Sequence, residues 1–139
     1  MEFTLYTAAL TGAEANCRYP EQRKISCAED LEAAAAFDHV CVAFKNDYRK
    51  RENFLSSDVL VMDCDNSHTE NPAEWMTMEK FLVMMPDVPV AIVPSRNHMK
   101  PKDGKCARTR FHVYFEIPAI TDEPCYTELK RAVYTAYTF

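Results

Sequence analysis

The order of hydrophobic segments predicts an α/β (α+β) protein in which a mixed β-sheet is flanked by helices. Three observations favour this class. Short apolar runs rich in β-forming residues alternate with segments of helical spacing, and helix-start signals precede the helical segments. The chain has 139 residues and 47% hydrophobic content, which suits one core and is too short for two ordinary domains. We therefore expect a single domain spanning 1–139.

The first half of the chain is predicted to form a strand, a helix and a second strand. Residues 3–10 alternate loosely between apolar and polar, as a strand does. Ser26 and Glu29 form an S-x-x-E capping box ahead of an alanine-rich helix over 30–37. Residues 39–44 are a short apolar run rich in β-forming side chains, and a polar loop follows them.

The next segment, 58–65, is too continuously apolar for a strand with one wet face, so we expect it inside a sheet covered on both faces. Thr77 begins a helix that Pro86 ends. Residues 88–95 follow as another buried strand.

The segment 110–117 alternates strictly between polar and apolar residues, which predicts a strand. Thr121 or Asp122 caps a final helix. The predicted order of elements is β-α-β-β-α-β-β-α.

The charge of the chain is unevenly distributed. The net charge is −5, which excludes a protein that coats nucleic acid through a broadly basic surface. Between positions 96 and 110, however, six Lys or Arg residues stand against a single acid, Asp103. This distribution indicates a confined binding site for an anion.

The sequence gives no sign of export or of a membrane span. The first residues lack a basic segment followed by an apolar one, and no run approaches the ~18 apolar residues of a spanning helix. The six cysteines form no C-x-x-C pair, which favours reduced thiols. We therefore expect a cytoplasmic protein with no membrane partner.

Two carboxylates end the segment 58–65. Residues two apart on a strand point to the same face, with their Cα atoms roughly 6.5 to 7 Å apart, so Asp63 and Asp65 can converge on one cation or on a close pair. Because adjacent carboxylates repel, a hard divalent metal is an economical partner. The alternative is a turn, since strands often end in short polar side chains such as Asp65-Asn66-Ser67.

A second constellation lies on the strand 110–117. Phe111, Val113 and Phe115 are expected in the core, which leaves Arg110, His112 and Tyr114 together on the opposite face. Arginine offers a two-pronged donor to phosphate, and histidine donates through a ring nitrogen. The alternative is a solvated face with an incidental histidine. A metal site and an anion site on two strands are, however, the two halves of a nucleoside-triphosphate pocket.

These residues resemble motifs of a known family. Asp63-Cys64-Asp65 is similar to the first motif of archaeo-eukaryotic primases and primase-polymerases, an apolar run that ends in Asp-x-Asp or Asp-x-Glu. Arg110-Phe111-His112 resembles their second motif, usually Ser-x-His. Ser95-Arg96-Asn97-His98 resembles a segment of primases encoded on bacterial plasmids, phages and integrative elements. The resemblance covers about 48–120.

The resemblance implies both a fold and a function. The fold would be a primase-polymerase catalytic core with a portion like an RNA-recognition motif (RRM). The function would be that of a metal-dependent nucleotidyltransferase, a DNA primase or polymerase that replicates a mobile element. Its cofactors would be two divalent ions, Mg or Mn. Its partners would be nucleoside triphosphates, a single-stranded DNA template and a helicase domain or helicase partner.

The resemblance also assigns roles to residues. The metal ligands would be Asp63 and Asp65, and these two with His112 form the predicted catalytic set. The predicted nucleotide-binding residues are Ser95, Arg96, His98, Arg108, Arg110 and His112. The predicted template contacts are Arg49, Arg51 and Lys100. We assign no site role to His39, His68 or Trp75.

Two departures from the family pattern matter. Arg110 stands where the family has serine. The family's third motif, a further metal-binding Asp, would follow the last helix, so we expect the chain to be truncated at its C-terminus; Glu116 is a poor substitute because it lies four strand residues from His112. One alternative is a non-catalytic nucleotide-binding or nucleic-acid-binding remnant. A rolling-circle nuclease would need a His-x-His motif, which the sequence lacks.

Overall fold

A computed structural model of the protein describes residues 1–13 and 15–137. In these ranges the structure belongs to the α+β class. The strands are β1 (Phe3–Thr7), β2 (Glu21–Ile25), β3 (His39–Val40), β4 (Ala43–Phe44), β5 (Phe54–Cys64), β6 (Val90–Pro94) and β7 (Phe111–Ile120). The helices are α1 (Ala28–Ala35), α2 (Met78–Met84) and α3 (Glu123–Ala136). Within the described residues, no helix combines the length and hydropathy that a membrane crossing requires.

The strands form two antiparallel sheets, which corrects the prediction of one mixed sheet. One sheet has the order β2-β1-β3 and the other the order β4-β5-β7-β6. The segment 39–44, predicted as one strand, is the reason. It bends at Cys41 and Val42, so that β3 pairs with β1 in the first sheet and β4 pairs with β5 in the second.

Two local predictions also differ from the structure. β2 was not predicted, because its residues are polar and only Ile25 is buried. The capping box of α1 is shifted by one residue from the predicted Ser26 and Glu29 pair. Cys27 is the N-cap residue, and the carboxylate of Asp30 accepts from the backbone of both Ser26 and Cys27. A carboxylate at this position satisfies N–H groups that the first helical turn leaves unpaired.

The four-stranded sheet carries a core on each face, and β5 lies inside it as the sequence predicts. On one face Met62, Cys64, Phe111 and Val113 pack with Phe81 of α2. The opposite face packs against the first sheet and α1. Its buried residues include Val59, Tyr114 and Val93, with Phe3 and Leu5 of β1. Both layers follow from the two-residue period of β5 and β7.

Helix α3 lies along the β5 edge of this sheet, where the two-residue β4 leaves backbone groups unpaired. The Tyr126 hydroxyl donates to the carbonyl of Val59 at 3.2 Å, and the Tyr134 hydroxyl accepts from the amide of Asp63 at 3.0 Å. Asp122 caps the helix by accepting from the amide of Cys125. The tyrosines of α3 therefore take the place of a neighbouring strand.

The turn after β5 is fixed by two buried polar side chains. Asn66 is fully buried and has a positive φ of 53°. Its amide nitrogen donates to the carbonyls of Met76 and Thr109, and its oxygen accepts from the amide of Met76 at 2.7 Å. The buried guanidinium of Arg108 donates to the carbonyl of Asn66 at 2.7 Å. This network holds the end of β5 against the start of β7.

We expect Asn66→Ala to lower the free energy of unfolding by ~2–4 kcal/mol, because it removes three hydrogen bonds and leaves buried partners unpaired. Asn66→Gly should cost about 0.5–1 kcal/mol less, since glycine tolerates the positive φ at some cost in chain entropy. Urea denaturation of both variants measures this. Equal stability of wild type and Asn66→Ala would contradict the role given to the side chain.

Candidate functional site

An open cleft of about 820 Å³ lies at the ends of β5 and β7. One wall is β3 with Gly12, Ala13 and Asn16, and the other is α3. The loop after β6 closes one end of the cleft. The floor is the face of β5 and β7 that lies opposite α2. Side chains from both sheets therefore meet in a single cavity.

Asp63 and His112 lie side by side on the floor of this cleft. They are register partners on β5 and β7. The pair belongs to the non-hydrogen-bonded class, because the Asp63 amide points away from β7 to the Tyr134 hydroxyl. Such pairs bring side chains closest, with Cα atoms about 4.5 Å apart. Asp63 Oδ1 accordingly lies 3.5 Å from His112 Nε2.

Burial sets the protonation state of His112. Desolvation lowers the pKa of its imidazole, and the negative charge of Asp63 opposes this effect only in part. The ring is therefore neutral at neutral pH and carries one N–H donor.

His39 was not predicted to belong to the site, but it lies beside His112 with ring centroids 6.1 Å apart. Its Nδ1 is 3.0 Å from the carbonyl of Phe37, which can only accept. In the neutral ring Nε2 is then an acceptor, so the Tyr114 hydroxyl donates to it at 2.7 Å. Burial lowers the pKa of His39 as well. Only the packing of the two sheets brings these groups together.

Asp65 and Cys64 show how the Asp-x-Asp segment is arranged. Asp65 lines the cleft, and its Oδ1 also accepts from the amide of Ser67 at 3.0 Å. It therefore serves the turn and the cleft together. Cys64 points to the opposite face and is fully buried, and this burial raises the pKa of its thiol to about 12. The cysteine is a packing residue.

Cationic side chains surround the two carboxylates. Counted among the described residues, five of them line the cleft against three carboxylates, Asp38, Asp63 and Asp65. The cations are Arg49, Arg96, Lys102, Arg110 and Lys130. The cleft is therefore locally positive in a chain whose net charge is −5. This distribution suits an anionic ligand.

Two of the predicted nucleotide-binding arginines in the cleft already have protein partners. Arg96 forms an ion pair with Asp38 at 2.6 Å, and Asp38 also accepts from the amide of Gly12. Hydrogen bonding to Arg96 holds the pKa of the Asp38 carboxyl below its usual value. Arg110 is 4% exposed and donates to the carbonyls of Asn97 and Lys100. Ser95 also lines the cleft.

Four predicted site residues do not line the cleft. His98 Nδ1 lies 2.9 Å from the Arg110 carbonyl and closes the loop after β6. Arg108 is buried beside Trp75 and pairs with Glu70 at 2.6 Å. The other two are predicted template contacts. Arg51 pairs with Glu123 of α3, and the carbonyl of Lys100 accepts from Arg110. The structure gives Arg108 and His98 roles in the loops rather than at a ligand.

Three other cations in the cleft come from separate parts of the chain. Arg49, a predicted template contact, lies over the ring of Tyr19 at 5.7 Å. Lys102 and Lys130 were not among the predicted residues. Lys130 lies 5.8 Å from the ring centroid of Tyr134 on the same helix. The sequence could not reveal Lys130, because nothing in α3 specifies which strand the helix covers.

Few side chains in the described part of the cleft could ligate a metal ion. Asp63 and Asp65 are the carboxylates of the floor. Within 1–13 and 15–137, no group of three His, Cys, Asp or Glu residues is arranged to hold a metal ion. Glu116 does not line the cleft, because it pairs with Val59 farther along β5 and accepts from the amide of Glu2. Asp38, the remaining carboxylate among the described residues of the cleft, is paired with Arg96, so no third carboxylate lies beside Asp63 and Asp65 on the described floor.

The buried histidines predict a dependence of stability on pH. Their pKa values are lowered from the usual 6.5, so at a pH below this value the unfolded chain binds more protons than the folded chain. Stability from this source is complete above about pH 6.5 and is lost as the pH falls below that value through the lowered pKa values of the folded state. Urea denaturation across this range should show the decline. In His39→Gln the decline should be smaller, and an identical decline in both proteins would contradict the burial argument.

Comparisons of the chain with protein-family models, curated proteins and solved structures found no match.

Proposed function

We propose that the cleft binds a nucleoside triphosphate with divalent Mg or Mn ions, and that the chain is the core of a nucleotidyltransferase of the primase-polymerase kind. One observation carries the proposal. Asp63 and His112 lie side by side on neighbouring strands, within one cavity that cationic side chains surround. A metal-bound triphosphate needs carboxylate ligands for the metal and donors for the phosphate oxygens within one cavity.

The carboxylates supply the metal side of the site. Asp63 is exposed over 61% of its side chain, and Asp65 lies on the same strand face two residues later. Oxygen ligands of this kind suit Mg or Mn. Asp63 and Asp65 would hold these ions, which would supply the charge that orients the α-phosphate and activates the attacking hydroxyl of a primer or of an initiating nucleotide, with pyrophosphate as the leaving group.

The cations and His112 supply the phosphate side. A neutral His112 donates one N–H to a phosphate oxygen, and Lys102 and Lys130 add positive charge. Lys130 forms no salt bridge within the described residues, and the partner of Lys102 is the exposed Asp103 at 3.8 Å. Arg49 is an exposed lining residue of the cleft and is the remaining candidate for a template phosphate. The single-stranded DNA template, the helicase partner, the cytoplasmic location and the link to a mobile element belong to the same proposal through the family resemblance.

A second candidate is a nucleotide-binding module without catalytic activity. The observation that favours it is the shortage of carboxylates, since Asp63 and Asp65 have no third acidic partner among the described residues of the floor. Two-metal transfer holds its ions from both sides. Binding tolerates the loss of one ligand better than the reaction does.

With Mn present, we expect the chain to bind ATP or dATP, and His112→Ala should weaken this binding by ~1.5–3 kcal/mol, the range for a hydrogen bond to a charged group. Calorimetry measures the affinity. Arg51→Ala is the matched control, because Arg51 pairs with Glu123 outside the cleft. Unchanged affinity in a folded His112→Ala variant would favour a solvated strand face.

Primer extension separates the two candidate functions. We expect the chain to bind Mn and nucleotide but to extend a primed template slowly, since a misplacement of ~1 Å at the reacting atoms can cost ~100-fold in rate. Asp63→Asn should remove both the metal dependence of binding and any residual extension. Rapid extension by the wild-type chain would rule out the second candidate, and nucleotide binding that ignores both metal and Asp63→Asn would rule out the first.

A further inference from the structure

β6 is an edge of the four-stranded sheet, and no strand among residues 1–13 and 15–137 pairs with its outer side. The amide of Ser95 donates to the carbonyl of Arg110. This hydrogen bond shows which residues of β6 point their backbone groups toward β7. In an antiparallel ladder, alternate residues point their backbone groups to opposite sides. Ala91 and Val93 therefore face β7, and the N–H and C=O groups of Val90 and Ile92 point outward.

The two edges of the sheet differ in the hydrogen bonding of their outward backbone groups. On the β5 side, tyrosines of α3 bond the outward backbone groups of Val59 and Asp63. On the β6 side, no hydrogen bond to the outward groups of Val90 or Ile92 occurs within the described ranges. Pro89 and Pro94 lack N–H groups and limit the free edge to the residues between them. The open edge is thus a short segment with two residues available for pairing.

A second cleft, of about 360 Å³, lies beside this edge. Its walls are β6, the start of β1, the end of β2 and the first half of α1, and they include the apolar side chains of Phe3, Ile25 and Leu31. The cavity can accept an apolar side chain from a strand that pairs with β6. Backbone pairing and an adjacent side-chain pocket are the two elements by which proteins bind extended peptides.

The surroundings of the second cleft are acidic. Glu32 is the one charged side chain among the described residues that line it. Glu29 is exposed on the same helix, and Asp87 is exposed just before β6. A second copy of the chain would set these acids against each other, and the net charge of −5 adds to this repulsion. A basic partner is complementary to them.

We propose that the β6 edge binds an extended segment of a partner protein, with apolar residues at alternate positions and basic residues at its ends. The segment adds a fifth strand to the sheet through Val90 and Ile92. One of its apolar side chains enters the second cleft, and its basic ends face Glu29 and Glu32. The proposal does not depend on nucleotide binding, because this cleft and the first are separate.

The test uses a synthetic peptide, acetyl-Arg-Lys-Val-Thr-Val-Thr-Val-Lys-Arg-amide, with the wild-type chain. Two further peptides carry N-methyl groups on the backbone nitrogens of either the valines or the threonines. In a paired strand only one of these sets faces β6. We expect one methylated peptide to bind about tenfold more weakly than the parent, because it loses backbone hydrogen bonds, and the other to bind within about threefold. Fluorescence anisotropy measures all three affinities.

Two further measurements locate the binding site. The amides of Val90 and Ile92 should exchange their hydrogens more slowly when the parent peptide is bound. The double variant Glu29→Gln and Glu32→Gln should weaken binding about threefold to tenfold at low salt and less at high salt. Glu128→Gln is the matched control, since Glu128 lies on α3 and pairs with Arg131. This control should bind the peptide as wild type does.

Several results would overturn the proposal. They are no binding of the parent peptide, equal affinities of all three peptides, or equal loss of binding in both methylated forms. Unchanged hydrogen exchange at the amides of Val90 and Ile92, or unchanged peptide binding by the double glutamine variant, would also overturn it. Sedimentation of the chain alone tests the rival occupant, and a dimer lost on addition of the peptide would assign the edge to a second copy.

Discussion

The antiparallel register of β5 with β7 fixes the position of both strand-borne groups in the first cleft. It sets Asp63 opposite His112, and the buried side chains around them hold this register. A shift of one residue would turn Met62 and Cys64 into the cleft and bury the two carboxylates against Phe81. Because an unpaired buried carboxylate is costly, the core on the α2 face specifies the acidic floor on the opposite face.

The same constraint explains why the floor is only partly exposed. His112 and Tyr114 follow Phe111 and Val113 with the period of the strand, so they face β1, β3 and α1. His39 then meets Tyr114 across the junction of the two sheets. The junction desolvates both imidazoles and keeps them neutral, while cations from other parts of the chain line the same cleft. Neutral donors within and charged groups around them favour an anion that enters from solvent.

The elements that could be predicted from the sequence are those with a clear local pattern of apolar and polar residues. The strict alternation of 110–117 located β7, and the apolar run before Asp65 located β5. The break at Cys41 and Val42 could not be predicted, because the residues that divide the run between two sheets are as apolar as their neighbours. Lys130 was missed for a related reason, since only tertiary packing decides which strand a helix covers. Arg108 was assigned to a ligand because its burial against Trp75 leaves no trace in the sequence.

The ion pair between Arg96 and Asp38 links the first cleft to the segment before β2. Asp38 accepts from Arg96 and from the amides of Gly12 and Ala13, so one carboxylate holds both a cation of the cleft and a wall of it. A phosphate bound at Arg96 would compete with Asp38 for the same guanidinium nitrogen atoms. Asp38 would keep its two backbone donors in that exchange, so the wall could remain in place while the arginine turned to the ligand. The affinity of Arg96 for phosphate then depends on the difference between the free energies of its interactions with phosphate and with Asp38. It is therefore lower than the affinity of an arginine without a partner.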